Sequence, residues 1–585
     1  MSRRKVSKVE KIKETSENLR GSVEEELSND EPNFSKESYQ ILKFHGTYQQ
    51  DDRDKRRGRD KHWMYMIRGR VPGGKMTAQQ FLAVDTIVEE YGDKTLRITT
   101  RQAFQIYGVI KGNLKQTFRE INNAMITTMG ACGDVVRNVM ATPAPDIDGR
   151  QSQIQAFANR LSDELLPATK AYHEIWLDGE KVYSGHSANG SAHGDANGRT
   201  ARDSRGEQPA DNSTSGESEP LYGSAYLPRK FKIGITLPRD NSIDLYTQDI
   251  GLVALFDEDN QIHGFNVIVG GGLGMQHKKP DTYPRLGDHL GYVQKEKIEE
   301  VVKGIIRVQR DLGNRENRKR ARMKYLIDEI GLDSFKNELK ARTGFDLEPF
   351  RDMPEFEPEL YLGWNRQADG RWFLGISVEN GRIKDEGDFM LRSALRTLAE
   401  TVRPGFRLTP NQNILLTDIE ETDKEVVENL LAEHGVQPES ELSSLMKNSM
   451  ACPALPTCGL AIAESERVFP TIIRQLEAVL EELGLQNETI SVRMTGCPNG
   501  CARPYVADIG LVGRSLNKYT IFLGGNPAGT RLGQVYKDLV SYEDLIPEIR
   551  PLFEYYKENR QPDEPFGDFW HRSGIEEART VTITP

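Results

Sequence analysis

Short apolar runs such as Leu96-Arg97-Ile98-Thr99 and Phe265-Asn266-Val267-Ile268-Val269 recur along this chain and predict strands. Between them lie stretches of helical spacing, such as Thr471 to Leu485, so the chain reads as mixed α and β. The first forty or so residues form a polar arm, with Ser22 placed to cap a short helix opened by Val23-Glu24-Glu25-Glu26. Gly185 to Pro220 is nearly free of apolar residues and rich in Gly, Ser, Asn and Asp, so burial cannot offset its ordering entropy; it predicts a mobile surface insertion.

An internal repeat organises the rest. Leu96-Arg97-Ile98-Thr99-Thr100-Arg101-Gln102 aligns with Phe406-Arg407-Leu408-Thr409-Pro410-Asn411-Gln412. Arg137-Asn138-Val139-Met140-Ala141-Thr142-Pro143 aligns with Lys447-Asn448-Ser449-Met450-Ala451-Cys452-Pro453. Both offsets are 310 (407 − 97 and 447 − 137). A weaker echo joins Asp249-Ile250-Gly251-Leu252-Val253 to Asp508-Ile509-Gly510-Leu511-Val512 at an offset of 259, a difference partly explained by the insertion. A period this long predicts two homologous halves about a pseudo-twofold axis with a shared crevice. The halves differ in chemistry, because Thr142 stands where Cys452 stands.

Composition narrows the function. At 585 residues the chain is long enough for about four domains or fewer large ones. A net charge of −11 argues against a surface built for nucleic acid, and a mean hydropathy of −0.60 without a long apolar run argues against a membrane span. The N-terminus mixes acids and bases without an apolar core, so no secretory signal is expected, and the cytoplasm is the expected location.

Four of the five cysteines fall in one window, as Cys452-x5-Cys458-x38-Cys497-x3-Cys501, which points to metal or redox chemistry in a reducing compartment. The second pair suits zinc, but the five-residue gap of the first fits zinc poorly, and four thiolates suit an iron-sulfur cluster equally well by softness. The flanking Pro453, Pro456, Gly459, Gly496, Pro498 and Gly500 suit loops that aim backbone amides at cluster sulfurs. Cys132 has no partner and reads as a plain buried thiol.

These cysteine pairs, together with FHGTYQQDDRD at 44–54, TTRQAFQ at 99–105, RNVMA at 137–141, LPRKFK at 227–232, GFNVIVGGGLG at 264–274 and TPNQN at 409–413, resemble the sirohaem-dependent sulfite and nitrite reductases. The resemblance runs from about residue 36 to the C-terminus and leaves out the insertion. It implies an α+β, internally duplicated fold of three domains around sirohaem and a 4Fe-4S cluster. The expected division is an arm at 1–65, a ferredoxin-like duplicated domain from 66–129 plus 363–437, a first sirohaem half-domain at 130–362, and a second at 438–585 carrying the cluster cysteines. It further implies that Cys452, Cys458, Cys497 and Cys501 bind the cluster and that Cys501 also bridges to the sirohaem iron.

Sirohaem carries eight carboxylates and sulfite is an anion, so an acidic protein must concentrate cations locally. Eight Lys or Arg lie between Arg53 and Arg70, and eight between Arg307 and Lys324; the second run reads equally well as a solvated helix face. The resemblance assigns substrate-binding and catalytic roles to Arg68, Arg137, Lys230 and Lys232, with Lys230 and Lys232 on one face of a strand and Phe231 turned to the core. Arg97, Arg101, Gln105, Arg229, Asn411 and Asn499 are implied cofactor contacts. Two departures from the family pattern are Tyr107, where His is expected, and Val136, where Asn is expected.

The implied reaction takes sulfur from +4 to −2 with six electrons entering at the cluster and crossing Cys501. Lys232 favours sulfite, since nitrite-type members tend to have Asn there; nitrite reduction to ammonia is the alternative. No GxGxxG opens a helix and no flavin fingerprint appears, so a partner must deliver electrons. GACGDVVRNVMA and TGCPNGCARPY resemble the ferredoxin-dependent members, which makes ferredoxin the expected donor and a flavoprotein reductase the second. A reading from another class, a colourless zinc module with an anion groove, stands against these.

Overall fold

The structure is a computed structural model that describes residues 6–179 and 219–581. Almost all of the predicted insertion at 185–220 therefore lies outside the described residues.

Two five-stranded antiparallel sheets repeat one another in the middle of the chain. One runs in the order Thr47–Asp51, Trp63–Arg68, Phe104–Val109, Leu96–Ile98, Arg382–Ile383; the other runs Gly363–Arg366, Trp372–Ile376, Ile414–Ile419, Gly405–Leu408, Lys75–Met76. Each is completed by a two-residue strand from the opposite repeat: Arg382 pairs with Arg97, and Lys75 pairs with Arg407. The exchange locks the halves together through backbone hydrogen bonds that neither half can form alone. A helix follows in each, Ala78–Tyr91 and Leu391–Thr401. The first is started by a capping box in which the Thr77 hydroxyl accepts from the Gln80 N–H and the Gln80 side chain accepts from the Thr77 N–H. Phe81 and Phe406 stack at 4.4 Å between the repeats, and Arg392 donates to Asp85 at 2.6 Å.

The second pair of sheets is also duplicated. Met140–Ala141, Ile233–Thr236, Ile250–Phe256, Ile262–Val269 and Asp288–Gln294 form one; Met450–Ala451, Val492–Thr495, Ile509–Ser515, Lys518–Leu523 and Gln534–Ser541 form the other. In both, the first three strands are parallel and the last two antiparallel. Ile233 pairs with Ile250 and Val492 with Ile509, at the offset of 259 (492 − 233 and 509 − 250). The offset falls from 310 to 259 between the first and second strands of each sheet, where the first half carries helices Gln151–Glu164 and Ala171–Leu177 and the second only Phe469–Leu483. The insertion and an added helix occupy the same connection.

Three expectations are corrected. Ser22 sits before the helix Val23–Leu27 but its side chain makes no capping bond. Thr47–Asp51, inside the expected arm, is an edge strand of the first sheet, and the arm docks through Lys13, which donates to the Leu227 carbonyl at 2.7 Å. The basic run at 307–324 is no solvated helix face. Arg318 donates to Asp134 at 2.7 Å, Arg322 to Asp249 at 2.8 Å, and Lys324 to the Gly272 carbonyl at 2.9 Å.

Candidate active site

Cys452 and Cys497 leave neighbouring parallel strands in the same direction, because Met450–Ala451 pairs with Val492–Thr495. Both are buried, Cys458 is half-buried and Cys501 is exposed. The Gly496 N–H approaches the Cys452 Sγ at 3.5 Å, and the Asn499 Nδ2 approaches the Cys497 Sγ at 3.5 Å. A Cβ at Gly496 would stand 2.4 Å from the Ala463 carbonyl oxygen, so only glycine lets this amide reach the sulfur. Arg53 clamps the loop from outside, donating to the carbonyls of Cys458 at 2.9 Å and Ala461 at 3.1 Å.

Burial pushes the Cys452 and Cys497 thiols up, the latter to about 12, and the neighbouring Cys501 adds to both shifts. Burial and Cys501 likewise raise Cys458. Four crowded thiols oppose one another's ionisation, so the set becomes four thiolates only around strongly positive charge. Among the described residues no three His, Cys, Asp or Glu side chains converge on one ion-sized point, as a tetrahedral zinc with bonds of about 2.3 Å would require. The soft donors, their spread and their amide partners fit a polynuclear iron-sulfur cage. Cys132 stands apart, buried beside Tyr48 and Arg137.

The predicted cations gather on the first half. Phe231 is buried and hydrogen-bonded across to Val135, while Lys230 and Lys232 on either side of it are half-buried; the regular strand begins just afterwards at Ile233. Burial pushes both lysines well below the ordinary ammonium range. Arg137, Arg229 and Arg322 add to this at Lys230, and Lys230, Arg101 and Arg322 add to it at Lys232; Cys501 opposes the shift at Lys230. Arg137 donates to the Gly133 carbonyl at 3.2 Å. The Gln105 amide fits its neighbours when its oxygen accepts from Arg68 Nε at 3.2 Å and its nitrogen donates to the Tyr107 hydroxyl at 2.9 Å. Arg101 donates to Gln248 at 2.7 Å, with burial lowering it to about 9, and Arg229 stands 4.0 Å from Asp134. Asn411 accepts from Arg503 at 2.7 Å.

Arg97 is buried and donates to the Ala451 carbonyl at 3.0 Å and to Glu466. These bonds brace the strand Met450–Ala451, which leads into Cys452, and across its own sheet Arg97 pairs with Gln105, which in turn pairs with Arg68. Arg382 holds the same Glu466 at 2.7 Å and lies 5.1 Å from the Tyr107 ring, which occupies the place where His was expected. Val136 is buried, and its carbonyl accepts from Arg70 at 3.0 Å.

Burial would raise the Glu466 carboxyl, but Arg97 and Arg382 outweigh it and hold it at about 2, against the ordinary 4.5. This depressed value contributes stability that is fully present above about pH 4.5 and is lost as pH falls towards 2. Glu466→Gln is expected to cost about 3 kcal/mol at pH 7, because two guanidiniums lose their buried counter-charge. Urea midpoints measured from pH 6 to pH 3 should fall more steeply for the wild type than for E466Q; parallel curves would rule out this linkage.

Asp249, Arg322, Glu466 and Arg382 were not picked out as site residues. Asp249 orients the lysine segment by accepting from the Lys232 N–H at 2.9 Å and from Arg322. Their signals were present but diluted, Asp249 in the repeat echo and Arg322 in the basic run.

The duplication supplies a counterpart for every member. At the repeat offsets Lys232 corresponds to Ser491, Lys230 to Thr489, Arg137 to Lys447, Arg101 to Asn411, and Cys501 to Ser242. Ser242, Asn411, Lys447, Ser491 and Arg493 line one cleft. There Lys447 is paired with Glu439 at 2.5 Å and Arg493 with Asp244 at 2.8 Å. Lys230 lies beside the Cys501 thiol in the first crevice, whereas in the counterpart cleft Lys447 and Arg493 are paired with carboxylates and Ser242 stands in place of the cysteine.

Comparison with known proteins agrees with this arrangement. The pattern described as the nitrite and sulphite reductase 4Fe-4S domain matches residues 156–347 and 444–584, and the nitrite/sulfite reductase ferredoxin-like half domain matches 56–124 and 365–434. The sulfite reductase (ferredoxin) of Synechococcus elongatus is 45% identical over 98% of this chain and 90% of its own. The sulfite reductase (NADPH) hemoprotein beta-component of Staphylococcus haemolyticus is 44% identical over 98% and 96%. The structure of the Mycobacterium tuberculosis NirA protein superposes with a TM-score of 0.75 over 99% of this chain and 98% of that one, at 22% identity, and so shares the fold. Paired half-domains, a four-cysteine loop set and a one-sided cationic crevice thus meet in a chain that belongs to the nitrite and sulphite reductase family.

Proposed function

We propose that this enzyme reduces sulfite to sulfide, taking up six electrons and releasing three oxygens as water. The observation that carries the reading is the pairing of Lys230 and Lys232, both held well below the usual ammonium range, with a ring of arginines and the Cys501 thiol. Sirohaem coupled to a 4Fe-4S cluster supplies the electron chemistry when bound. Cys452, Cys458, Cys497 and Cys501 would hold the cluster, with Cys501 shared between the two groups; Arg97, Arg101, Gln105, Arg229, Asn411 and Asn499 are the proposed holders of sirohaem and its surroundings.

The chain's own residues bind the anion and move protons. Arg68 and Arg137 present planar forks to an oxyanion, and their charge compensates that of sulfite. Lys230 and Lys232 each carry a proton that leaves readily, because burial and the adjacent cations disfavour the ammonium form. Protons delivered to sulfite oxygen turn a poor leaving group into water. Asp249 keeps the lysine segment extended through the Lys232 N–H.

Sulfite is proposed over nitrite on Lys232. The test is parallel steady-state assays with both anions, and the expected result is a higher kcat/KM for sulfite; a higher value for nitrite would reverse the assignment.

An external electron donor is required, and ferredoxin is the proposed one on the likeness of the Gly130–Ala141 and Thr495–Tyr505 segments to ferredoxin-dependent members. Relatives of near-equal identity carry both a ferredoxin and an NADPH name, which keeps a flavoprotein reductase as the rival. Gly272-Leu273-Gly274 supports the need for a donor: Lys324 donates to the carbonyls of Gly272 and Gly274, and Gly274 packs against the Asn499 carbonyl, so the glycines open no nucleotide-binding helix. A reducing compartment, the cytoplasm, is proposed on the five free cysteines; no described helix is long and apolar enough to cross a membrane.

A further inference from the structure

The segment from Leu227 to Lys232 carries both lysines of the cationic crevice, and it is fastened from several directions. At its far end the Lys232 N–H donates to Asp249 at 2.9 Å. In its middle the Phe231 N–H donates to the Val135 carbonyl at 3.1 Å, and the Phe231 carbonyl accepts from the Arg137 N–H at 3.0 Å. At its start the Leu227 N–H donates to the Asp134 carbonyl at 3.0 Å, whereas the Leu227 carbonyl is taken by a side chain, the Lys13 ammonium, at 2.7 Å. The carbonyls on either side are held in the same way: Tyr226 accepts from Arg315 at 2.7 Å and Pro228 from Arg318 at 3.3 Å.

Lys13 comes from the short helix Lys8–Glu14 of the N-terminal arm. It is 1% exposed, and burial pulls its ammonium below the ordinary range against the attraction of Asp134 and Glu10. A buried ammonium is costly unless its three donors are met. Here they are: beside the Leu227 carbonyl stand Glu10 at 2.6 Å, itself buried, and Asp134 at 3.4 Å. Glu10 also pairs with Arg315. Asp134 is the shared anion, accepting from Arg318 at 2.7 and 3.0 Å with Arg229 at 4.0 Å. The arm thus brings one lysine and one glutamate to the cluster, charges that cancel, so its contribution is a fixed donor rather than net charge.

The helix is not free to slide. Glu17, Asn18 and Leu19, just after it, hold φ of 50°, 54° and 73°, a left-handed run that side-chain-bearing residues keep only where their surroundings impose it. The Leu19 carbonyl accepts from His45 Nε2 at 2.9 Å, His45 Nδ1 accepts from the Trp176 indole N–H at 2.8 Å, and the Leu19 side chain is buried.

We infer that Lys13 is a positioning residue for the reaction: through the Leu227 carbonyl and Asp134, the N-terminal arm fixes the start of the segment that presents Lys230 to the substrate anion. The inference rests on the sulfite-reducing reading and brings the arm into its site. Arg229 and Lys230 follow Leu227 closely, so an unfastened start lets both swing while Asp249 still holds Lys232. Arg68 and Arg137 lie on other segments and go on binding the anion. Loss of Lys13 therefore acts on proton delivery, read in kcat, and spares anion binding, read in KM.

The test compares the wild-type holoenzyme with K13M, which keeps a long side chain but no donor, in sulfite turnover driven by reduced methyl viologen. The kcat should fall about tenfold with KM within about twofold of the wild type. Hydrogen exchange should quicken about tenfold in the peptide covering 226–232 and stay unchanged in the strand Val492–Thr495 of the second half. A second measurement needs no variant. In native-state exchange of the wild type under rising, sub-denaturing urea, the arm and residues 226–232 should open together with one urea dependence. An arm that opens alone while 226–232 stays protected overturns the inference, as does wild-type kcat or wild-type exchange at 226–232 in K13M. A slower K13M with faster exchange throughout the chain makes Lys13 a general stabiliser and overturns it as well. A wild type that does not reduce sulfite would instead overturn the reaction, with the exchange measurements still deciding what Lys13 holds.

Discussion

Cys501→Ser is expected to lower sulfite turnover by about 10³-fold or more, which corresponds to a barrier increase of about 4 kcal/mol. Three of the four thiols are wholly or partly enclosed, while Cys501 is exposed, sits beside Lys230, and has its carbonyl held by the Thr100 hydroxyl at 2.9 Å. It is thus the one sulfur of the set facing both the cysteine loops and the cationic crevice. A serine oxygen is a hard ligand and suits an iron-sulfur centre poorly. Loss of turnover should be accompanied by a changed visible spectrum and a lower content of acid-labile sulfide. A variant with the wild-type rate and spectrum would remove Cys501 from its shared role, and a wild type carrying zinc but no iron would remove the whole assignment.

Lys232→Ala should leave that spectrum intact while depressing sulfite turnover by about 10²-fold or more, the usual contribution of a positioned proton donor. Lys232→Arg is the informative companion. A guanidinium preserves the charge but cannot release a proton near neutral pH, so it should restore sulfite binding, seen in KM, without restoring kcat. Recovery of kcat by arginine would mean that Lys232 acts through charge alone. Turnover unchanged in the alanine variant would exclude it from the reaction.

The legibility of the site followed the character of each interaction. The cysteine set was readable because ligands cluster along the chain at spacings that few other functions impose. The inward turn of Phe231 between Lys230 and Lys232 was readable because alternate residues of an extended segment face opposite ways whatever the rest of the fold does. The partners of Arg97 were not legible, because only folding brings Glu466 and the Ala451 carbonyl to it. The basic run at 307–324 could not be decided from sequence for the same reason. Asp134 and Asp249, remote in sequence, neutralise Arg318 and Arg322, and no local pattern announces such partners. The edge strand Thr47–Asp51 was hidden in a polar arm, since a short edge strand carries little hydrophobic signal.

By itself the sequence established a duplicated α+β chain, a four-thiolate centre, and the half in which each kind of chemistry resides, because repeats, ligand spacings and strand alternation are properties of nearby residues. The exchange of edge strands between repeats and the carboxylate partners of Arg97, Arg318 and Arg322 were decided by tertiary structure. Those outcomes depend on which distant carboxylates and carbonyls arrive beside a given side chain, and that is set by packing across the pseudo-twofold axis rather than by order along the chain.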